Sequence, residues 1–148
     1  MKRIVLAVLV LALVLPAHAA AAKRSYSGAF DAVQGSIDFT LKKKGTKKRK
    51  KTSVRGFTFL EVPITCDTGS ATTSGRLTFG MRVAKKRFSA DADDDQGSSL
   101  HVEGTLKQKG KRVVGTLRVF GSVPLDPDGQ IRGTNCDTGV LEWSAARV

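Results

Sequence analysis

The strongest chemical signal in the chain is a run of cations at positions 42–51. Eight of these ten positions hold lysine or arginine, and only Gly45 and Thr46 interrupt them. Charges packed this densely repel one another, so the run predicts a solvent-exposed loop rather than a buried strand. The predicted polyanion-binding residues are Lys42, Lys43, Lys44, Lys47, Lys48, Arg49, Lys50 and Lys51.

A basic loop of this kind suits an anionic partner. Its cations can hold phosphate groups, cell-wall polymer, lipid headgroups or nucleic acid by releasing the counterions of the partner. Sequence-specific binding of nucleic acid is not expected, because no aromatic side chain for base stacking lies between Phe39 and Phe57. The predicted partner is an anionic cell-wall polymer or a membrane surface. The alternative is a solvated loop that aids solubility and blocks edge pairing.

The only two cysteines, Cys66 and Cys136, each open a Cys-Asp-Thr-Gly segment. Two cysteines in an exported chain favour one structural disulfide, and a free thiol pair and a metal site are the alternatives. A metal site normally needs four nitrogen or sulfur ligands, and His101 is the only histidine outside the signal-like N-terminus. In both segments Asp and Thr can satisfy backbone donors in an Asx-type turn, while Gly permits a left-handed conformation.

Acidic residues offer two further possibilities. The stretch 91–95 places aspartates at alternate positions, as a calcium loop does, but the required glycine and glutamate each fall one position late for an EF-hand. We therefore predict an acidic surface loop that pairs with the basic loop, and no metal or other cofactor. Glu61, Glu103 and Glu142 could supply the two carboxylates of a glycosidase if two of them shared a cleft.

The sequence contains no motif of nucleophilic, metal-dependent or nucleotide-dependent catalysis. The chain is therefore not predicted to be an enzyme. Trp143 could stack on a sugar ring, but its period-two neighbours Leu141 and Ala145 indicate a residue of the core.

Positions 1–19 have the order of a secretory signal peptide, with two basic residues, an apolar run, a proline and small residues. The apolar run is shorter than the ~20 residues that span a bilayer. We expect cleavage after Ala19, with Ala20 to Ala22 as alternative sites, and no transmembrane segment in the processed chain. Cleavage would remove two of the 25 basic residues and none of the 13 acidic ones, leaving a net charge of +10. The prediction is a secreted protein, extracellular or associated with the cell envelope.

The elements that must position these residues are β-strands. After a flexible lead-in at 20–25, apolar residues recur at every second position over much of 26–148. No stretch after the signal peptide has helical periodicity. We predict a single all-β domain, an antiparallel β-sandwich or jelly roll of about seven to nine strands. The clearest alternation is at Leu77, Phe79, Met81 and Val83.

Two local features of the strands can be predicted as well. The apolar alternation changes phase between Phe59 and Leu60, which indicates a β-bulge. The segment 107–111 contains a glycine between two strand-like runs and predicts a hairpin turn.

The closing part of the chain combines a Gly-Thr-Leu step at 115–117, the Cys-Asp-Thr-Gly segment at 136–139, and then Trp143, Ala145 and Arg147. This pattern resembles a group of uncharacterised secreted proteins of high-GC actinobacteria. The resemblance covers the last third of the chain closely and the rest loosely. It implies a secreted two-cysteine β-sandwich, and it carries no activity or catalytic residue. The basic run departs from the pattern of that group.

Together these observations predict a secreted, non-enzymatic binding or structural module that contacts anionic envelope polymers or surfaces through its basic loop. The alternative is a β-sandwich that binds or cleaves carbohydrate. The sequence makes no prediction of oligomeric state.

Overall fold

The computed structural model describes residues 22–45, 50–126 and 128–148. The predicted signal peptide lies outside the described residues. Within them the chain forms ten antiparallel strands and no α-helix, which confirms the all-β prediction. The strands are β1 Lys23–Phe30, β2 Ser36–Lys44, β3 Lys51–Cys66, β4 Gly69–Arg76, β5 Met81–Val83, β6 Arg87–Asp93, β7 Ser98–Lys107, β8 Arg112–Pro124, β9 Arg132–Asp137 and β10 Leu141–Arg147.

The ten strands form one sheet that folds back on itself. Its order is β10-β1-β2-β3-β9-β8-β7-β6, with β4 and β5 paired to β3, and β10 also pairs with β8. The pairing of β10 with β8 closes a ring through β1, β2, β3 and β9. The inner faces of the sheet therefore enclose one shared core, as in the sandwich-like arrangement that was predicted.

The structure has ten strands, more than the seven to nine that were predicted, and two of them have no recognisable strand pattern in the sequence. The sequence of β4 is Gly-Ser-Ala-Thr-Thr-Ser-Gly-Arg, and that of β9 is Arg-Gly-Thr-Asn-Cys-Asp, so neither has an apolar alternation to reveal it. Conversely, only the last three residues of the 77–83 run, Met81–Val83, form a strand. Leu77 is nevertheless buried, whereas Phe79 is partly exposed.

The predicted boundaries change at two places. Strand β1 begins at Lys23, so residues 23–25 belong to the sheet rather than to a flexible lead-in. Lys42, Lys43 and Lys44 form the end of β2, and Lys51 begins β3, so four of the eight cations of the basic run lie at strand ends rather than in a loop.

The predicted bulge in β3 is confirmed. The register of β3 against β4 shifts between Phe59 and Val62, and Glu61 adopts a left-handed φ of 56°. The predicted turn at 107–111 is also confirmed, since residues Gln108–Gly110 form a tight turn that joins β7 to β8.

Aromatic rings fill the centre of the core. The Trp143 ring lies 5.9 Å from Phe39, 5.8 Å from Phe57 and 6.4 Å from Phe88, measured between ring centroids. Trp143 is 1% exposed, which confirms that it is a core residue. Aromatic pairs at such separations contribute packing energy beyond the area that they bury.

The predicted disulfide is confirmed between Cys66 at the end of β3 and Cys136 in β9. The bond joins two strands whose ladder consists of a single residue pair, Thr65 with Asp137. Gly133 packs directly on it, and a Cβ atom there would lie 2.5 Å from both sulfur atoms. The disulfide therefore fixes the contact between β3 and β9 where the sheet alone pairs them weakly.

Candidate functional site

The strand ends meet in a ring at one end of the molecule. Antiparallel pairs link β6 to β7, β7 to β8, β8 to β10, β10 to β1, β1 to β2, β2 to β3 and β3 to β5. The bridge between Ala84 and Arg87 then joins β5 to β6 and completes the circle. Eight strands thus converge on one end of the fold.

Every strand in this ring has at least one cation at or near that end. We name these sixteen residues the cationic crown. Its side chains are exposed, apart from the half-buried Arg24. The members of the crown are Lys23, Arg24, Lys42, Lys43, Lys44, Lys50, Lys51, Arg82, Lys85, Lys86, Arg87, Lys107, Lys109, Lys111, Arg112 and Arg147.

The structure brings five of the predicted polyanion-binding residues into the crown, namely Lys42, Lys43, Lys44, Lys50 and Lys51. The other three, Lys47, Lys48 and Arg49, lie outside the described residues. Sequence reasoning missed the remaining eleven members, because they come from four other segments of the chain. The signal that could have found them is the pairing register, which sets the ends of β1, β6, β7, β8 and β10 beside the basic run.

The crown is not neutralised by acidic neighbours. Every aspartate and glutamate is at least four residues away from it along the chain. Among the described residues the ion pairs are those of His101 with Asp91 and Glu103, Arg118 with Asp137, and Arg132 with Asp94. None of these involves a crown residue.

Three pairs of like charges face one another directly across the strands of the crown. They are Lys23 with Lys42, Lys44 with Lys51, and Lys107 with Arg112. Like charges in opposite positions of an antiparallel pair destabilise the sheet. A bound polyanion would relieve this repulsion.

The turn between β5 and β6 adds backbone strain to the crown. Ala84 and Arg87 exchange two backbone hydrogen bonds of 2.8 Å, and the two residues between them, Lys85 and Lys86, have φ values of 47° and 68°. A two-residue hairpin with two positive φ angles strongly favours Asn-Gly. Lysine in the left-handed region costs roughly 1–2 kcal/mol per residue.

The turn between β7 and β8, which carries Lys109 of the crown, is hydrogen-bonded to a residue of the core. Gln108, Lys109 and Gly110 all have positive φ values, and the hydroxyl group of buried Tyr26 donates a hydrogen bond of 2.5 Å to the carbonyl oxygen of Gly110. This contact fixes the turn that carries Lys109 over the end of the core.

The acidic loops lie at the opposite end of the fold, which we name the acidic end. The prediction that the 91–95 loop pairs with the basic loop is therefore wrong, because β6 runs between them: it starts in the crown and finishes at Asp93. The loop aspartates of the acidic end are Asp31, Asp67, Asp94, Asp95, Asp126 and Asp128.

Asp94 organises the turn between β6 and β7. Its Oδ1 atom accepts hydrogen bonds from the backbone N–H groups of Gln96 and Ser98, at 3.0 and 2.7 Å. Burial of Asp94 acts to raise its pKa, but these two bonds and the charge of Arg132 lower it overall. In the part of the chain that the structure describes, no three His, Cys, Asp or Glu side chains lie close enough to hold a metal ion.

The two Cys-Asp-Thr-Gly segments differ in geometry. Asp137 accepts a 2.8 Å bond from the N–H of Gly139, which is the predicted Asx-type turn. Asp67 instead accepts a 2.6 Å bond from the side-chain amide of Asn135. Both glycines have positive φ, 121° at Gly69 and 65° at Gly139.

The outer face of β6, β7 and β8 carries a network of charged groups. His101 Nδ1 lies 2.6 Å from Asp91 Oδ1, and His101 Nε2 lies 3.5 Å from Glu103 Oε1. The bond to Asp91 is the main reason that the pKa of His101 is raised. On the same face, Arg118 donates two hydrogen bonds to the carboxylate of Asp137, which lowers the pKa of Asp137.

Two of the three candidate glutamates share a pocket. Glu103 of β7 and Glu142 of β10 both lie opposite Thr116, which is on the strand between them, β8. Their backbones are therefore separated by two strand spacings of about 5 Å each. They line a pocket of about 370 Å³ together with Asp31. Glu61 lies apart from them, in a cleft of about 820 Å³ between the β3–β4 hairpin and the loop from β8 to β9.

The chain matches no protein-family model, no curated protein and no solved structure. Among its described residues there is no helix of the length and hydrophobicity that crossing a bilayer requires.

Proposed function

We propose that this protein is an exported, non-enzymatic binding module that holds anionic polymer of the cell envelope with its cationic crown. The observation that carries the proposal is the convergence of sixteen cations, fifteen of them exposed, from five chain segments on one end of the fold, with no ion-pair partner among the described residues. The disulfide between Cys66 and Cys136 supports an oxidising compartment.

The local structure of the crown supports a binding role over mere solubility. Solubility needs charge anywhere on the surface, whereas this end of the fold tolerates three like-charge pairs and three left-handed lysines. Departures from local rules that persist at one place are typical of functional sites.

The composition of the crown favours a polymer over insertion into a lipid bilayer. Large exposed apolar side chains among the described residues are Leu60, Phe79, Phe120, Ile131, Val140 and Val148, and only Val148 lies at the crown. A surface without apolar anchors binds by counterion release alone, so its affinity depends steeply on salt.

The test is retention of the processed chain on isolated cell envelope, heparin and a neutral polysaccharide across a salt series. We expect retention on envelope and heparin that disappears as salt rises. Lys44→Ser with Lys51→Ser removes one cross-strand pair of the crown, and should reduce the slope of log affinity against log salt by about 0.7–0.9 per lost cation in contact.

The matched control is Arg55→Ser with Arg76→Ser, which removes the same charge from exposed positions outside the crown. This variant should keep the slope of the unmodified protein. Equal loss in both variants would mean that net charge, and not the crown, governs binding. Salt-resistant retention on the neutral polysaccharide would refute the proposal.

A second candidate function is binding or cleavage of glycans, which the shared pocket of Glu103 and Glu142 favours. Hydrolysis can use two carboxylates on either side of a glycosidic bond. Stacking on Trp143 or Tyr26 does not contribute, since each is 1% exposed. Release of reducing ends from envelope glycan that is lost in both Glu103→Gln and Glu142→Gln would establish it.

A further inference from the structure

Strand β4 is paired on one side only in the described part of the chain. β4 pairs with β3, and its other edge has no partner strand there. Natural proteins protect such edges with lysine, proline, a bulge or a covering loop. Residues 69–75 of β4 include neither a charge nor a proline, and four of the seven are exposed, with only Thr73 buried.

The hydrogen-bonding direction of each residue in β4 follows from the hairpin. Cys66 and Gly69 flank the two-residue turn, so they form a hydrogen-bonded pair, and the pairs alternate from there. Thr72 lies opposite Pro63, which has no N–H group to donate. The backbone groups of Ser70, Thr72 and Ser74 therefore point away from β3. The odd-numbered residues of this segment face β3 instead. Leu77 agrees with this alternation, because its N–H donates a 2.8 Å hydrogen bond to the carbonyl oxygen of Phe57.

We propose that the free edge of β4 pairs with β4 of a second copy of this chain, antiparallel and centred on Thr72. In this register Thr72 faces Thr72 of the second copy, and Ser70 faces Ser74, so the three outward residues of each edge exchange six backbone hydrogen bonds. Opposite residues then lie on the same face of the joined sheet, as an antiparallel pair requires. The two-fold axis makes the contact isologous, so association stops at the dimer.

Charge complementarity favours a second copy over an unrelated peptide. β4 runs from the acidic end towards the crown, so antiparallel pairing directs the two crowns in opposite directions and keeps their like charges apart. Arg76, the only charged residue of β4, then faces Thr68 of the other copy, next to Asp67. A pairing of one short strand buries little surface, so we expect a concentration-dependent dimer.

The experiment is sedimentation equilibrium of the processed chain over a range of concentrations, with the variant Thr72→Pro. Proline at Thr72 removes an N–H group that β3 does not use, so the monomer should fold while the central bond of the dimer is lost. Thr72→Val, which keeps the backbone N–H, is the matched control and should dimerise like the unmodified chain. A monomeric unmodified chain, or equal dimerisation of Thr72→Pro, would overturn the proposal.

Two further variants keep the test decisive if Thr72→Pro does not fold. Thr72→Lys places two like charges across the two-fold axis at an exposed position and should also abolish the dimer. Thr72→Cys should form a disulfide between copies under mild oxidation, since opposed residues of an antiparallel pair have Cα atoms about 5 Å apart. Failure of both effects would refute the pairing. The proposed polymer binding is tested separately, because Thr72→Pro leaves the crown intact.

Discussion

At the scale of single residues, the clearest consequence of the structure is the proton affinity of His101. Asp91 and Glu103 both face its ring, and the bond to Asp91 is the main cause that raises the pKa of His101 above its ordinary value. Because the pKa of His101 is higher in the folded than in the unfolded protein, protonation of this ring stabilises the fold. The stabilisation is fully present at pH below the unfolded-state pKa and is lost as pH rises through the folded-state pKa. The neighbouring carboxylates therefore favour the imidazolium form at mildly acidic pH.

Titration of the His101 ring followed by NMR should give a pKa above that of an unfolded peptide. Asp91→Asn removes both the strongest hydrogen bond and a charge, so it should lower this pKa towards the ordinary value. Glu103→Gln is the comparison and should lower it less, because Glu103 contributes less to the shift. An unchanged pKa in Asp91→Asn would show that the 2.6 Å contact does not persist in solution.

Residues with strong local chemistry could be predicted from the sequence. The two cysteines were the only pair available for a disulfide, and Trp143 shared its strand face with Leu141 and Ala145. The pairing of Asp67 with Asn135 could not be predicted, because it depends on the disulfide that brings two distant turns together. Identical segments thus acquired different geometry from their surroundings.

At the scale of elements, the turn at Lys85–Lys86 places two non-glycine residues in the left-handed region and has no sequence signature of a turn. Neither residue is a turn former, so the hairpin of β5 and β6 was not predicted. The same absence of turn chemistry indicates that stability is lower here than it could be. Left-handed lysines are retained in this turn although Asn-Gly would fit its backbone better.

Lys85→Asn with Lys86→Gly should therefore stabilise the fold by about 1–2 kcal/mol, because Asn-Gly fits a turn with two positive φ angles. Denaturant unfolding measures this gain. The same variant should elute from heparin at lower salt. Lys85→Arg with Lys86→Arg keeps both strain and charge, and it should change neither property. A variant that gained stability without losing heparin affinity would show that this turn is not part of the binding surface.

At the scale of the whole molecule, the all-β class was predictable and the crown was not. Alternating apolar residues determine which face of each strand is buried, and this information is local. The position of a strand end relative to another depends on register and on ring closure between residues as distant as Tyr26 and Arg147. A run of cations was visible in the sequence, but the convergence of four other segments on it was not.

The crown and the disulfide lie at opposite ends of the molecule. The bond between Cys66 and Cys136 lies near the acidic end and closes a loop of 70 residues, so its loss should cost roughly 2–4 kcal/mol of stability. The crown lies at the other end of strands that are paired along their length, and distant sites without shared partners contribute independently. Cys66→Ser with Cys136→Ser should thus melt at a lower temperature, yet bind heparin with an unchanged salt slope well below its melting transition. A reduced slope in the folded variant would show that the disulfide also positions the crown.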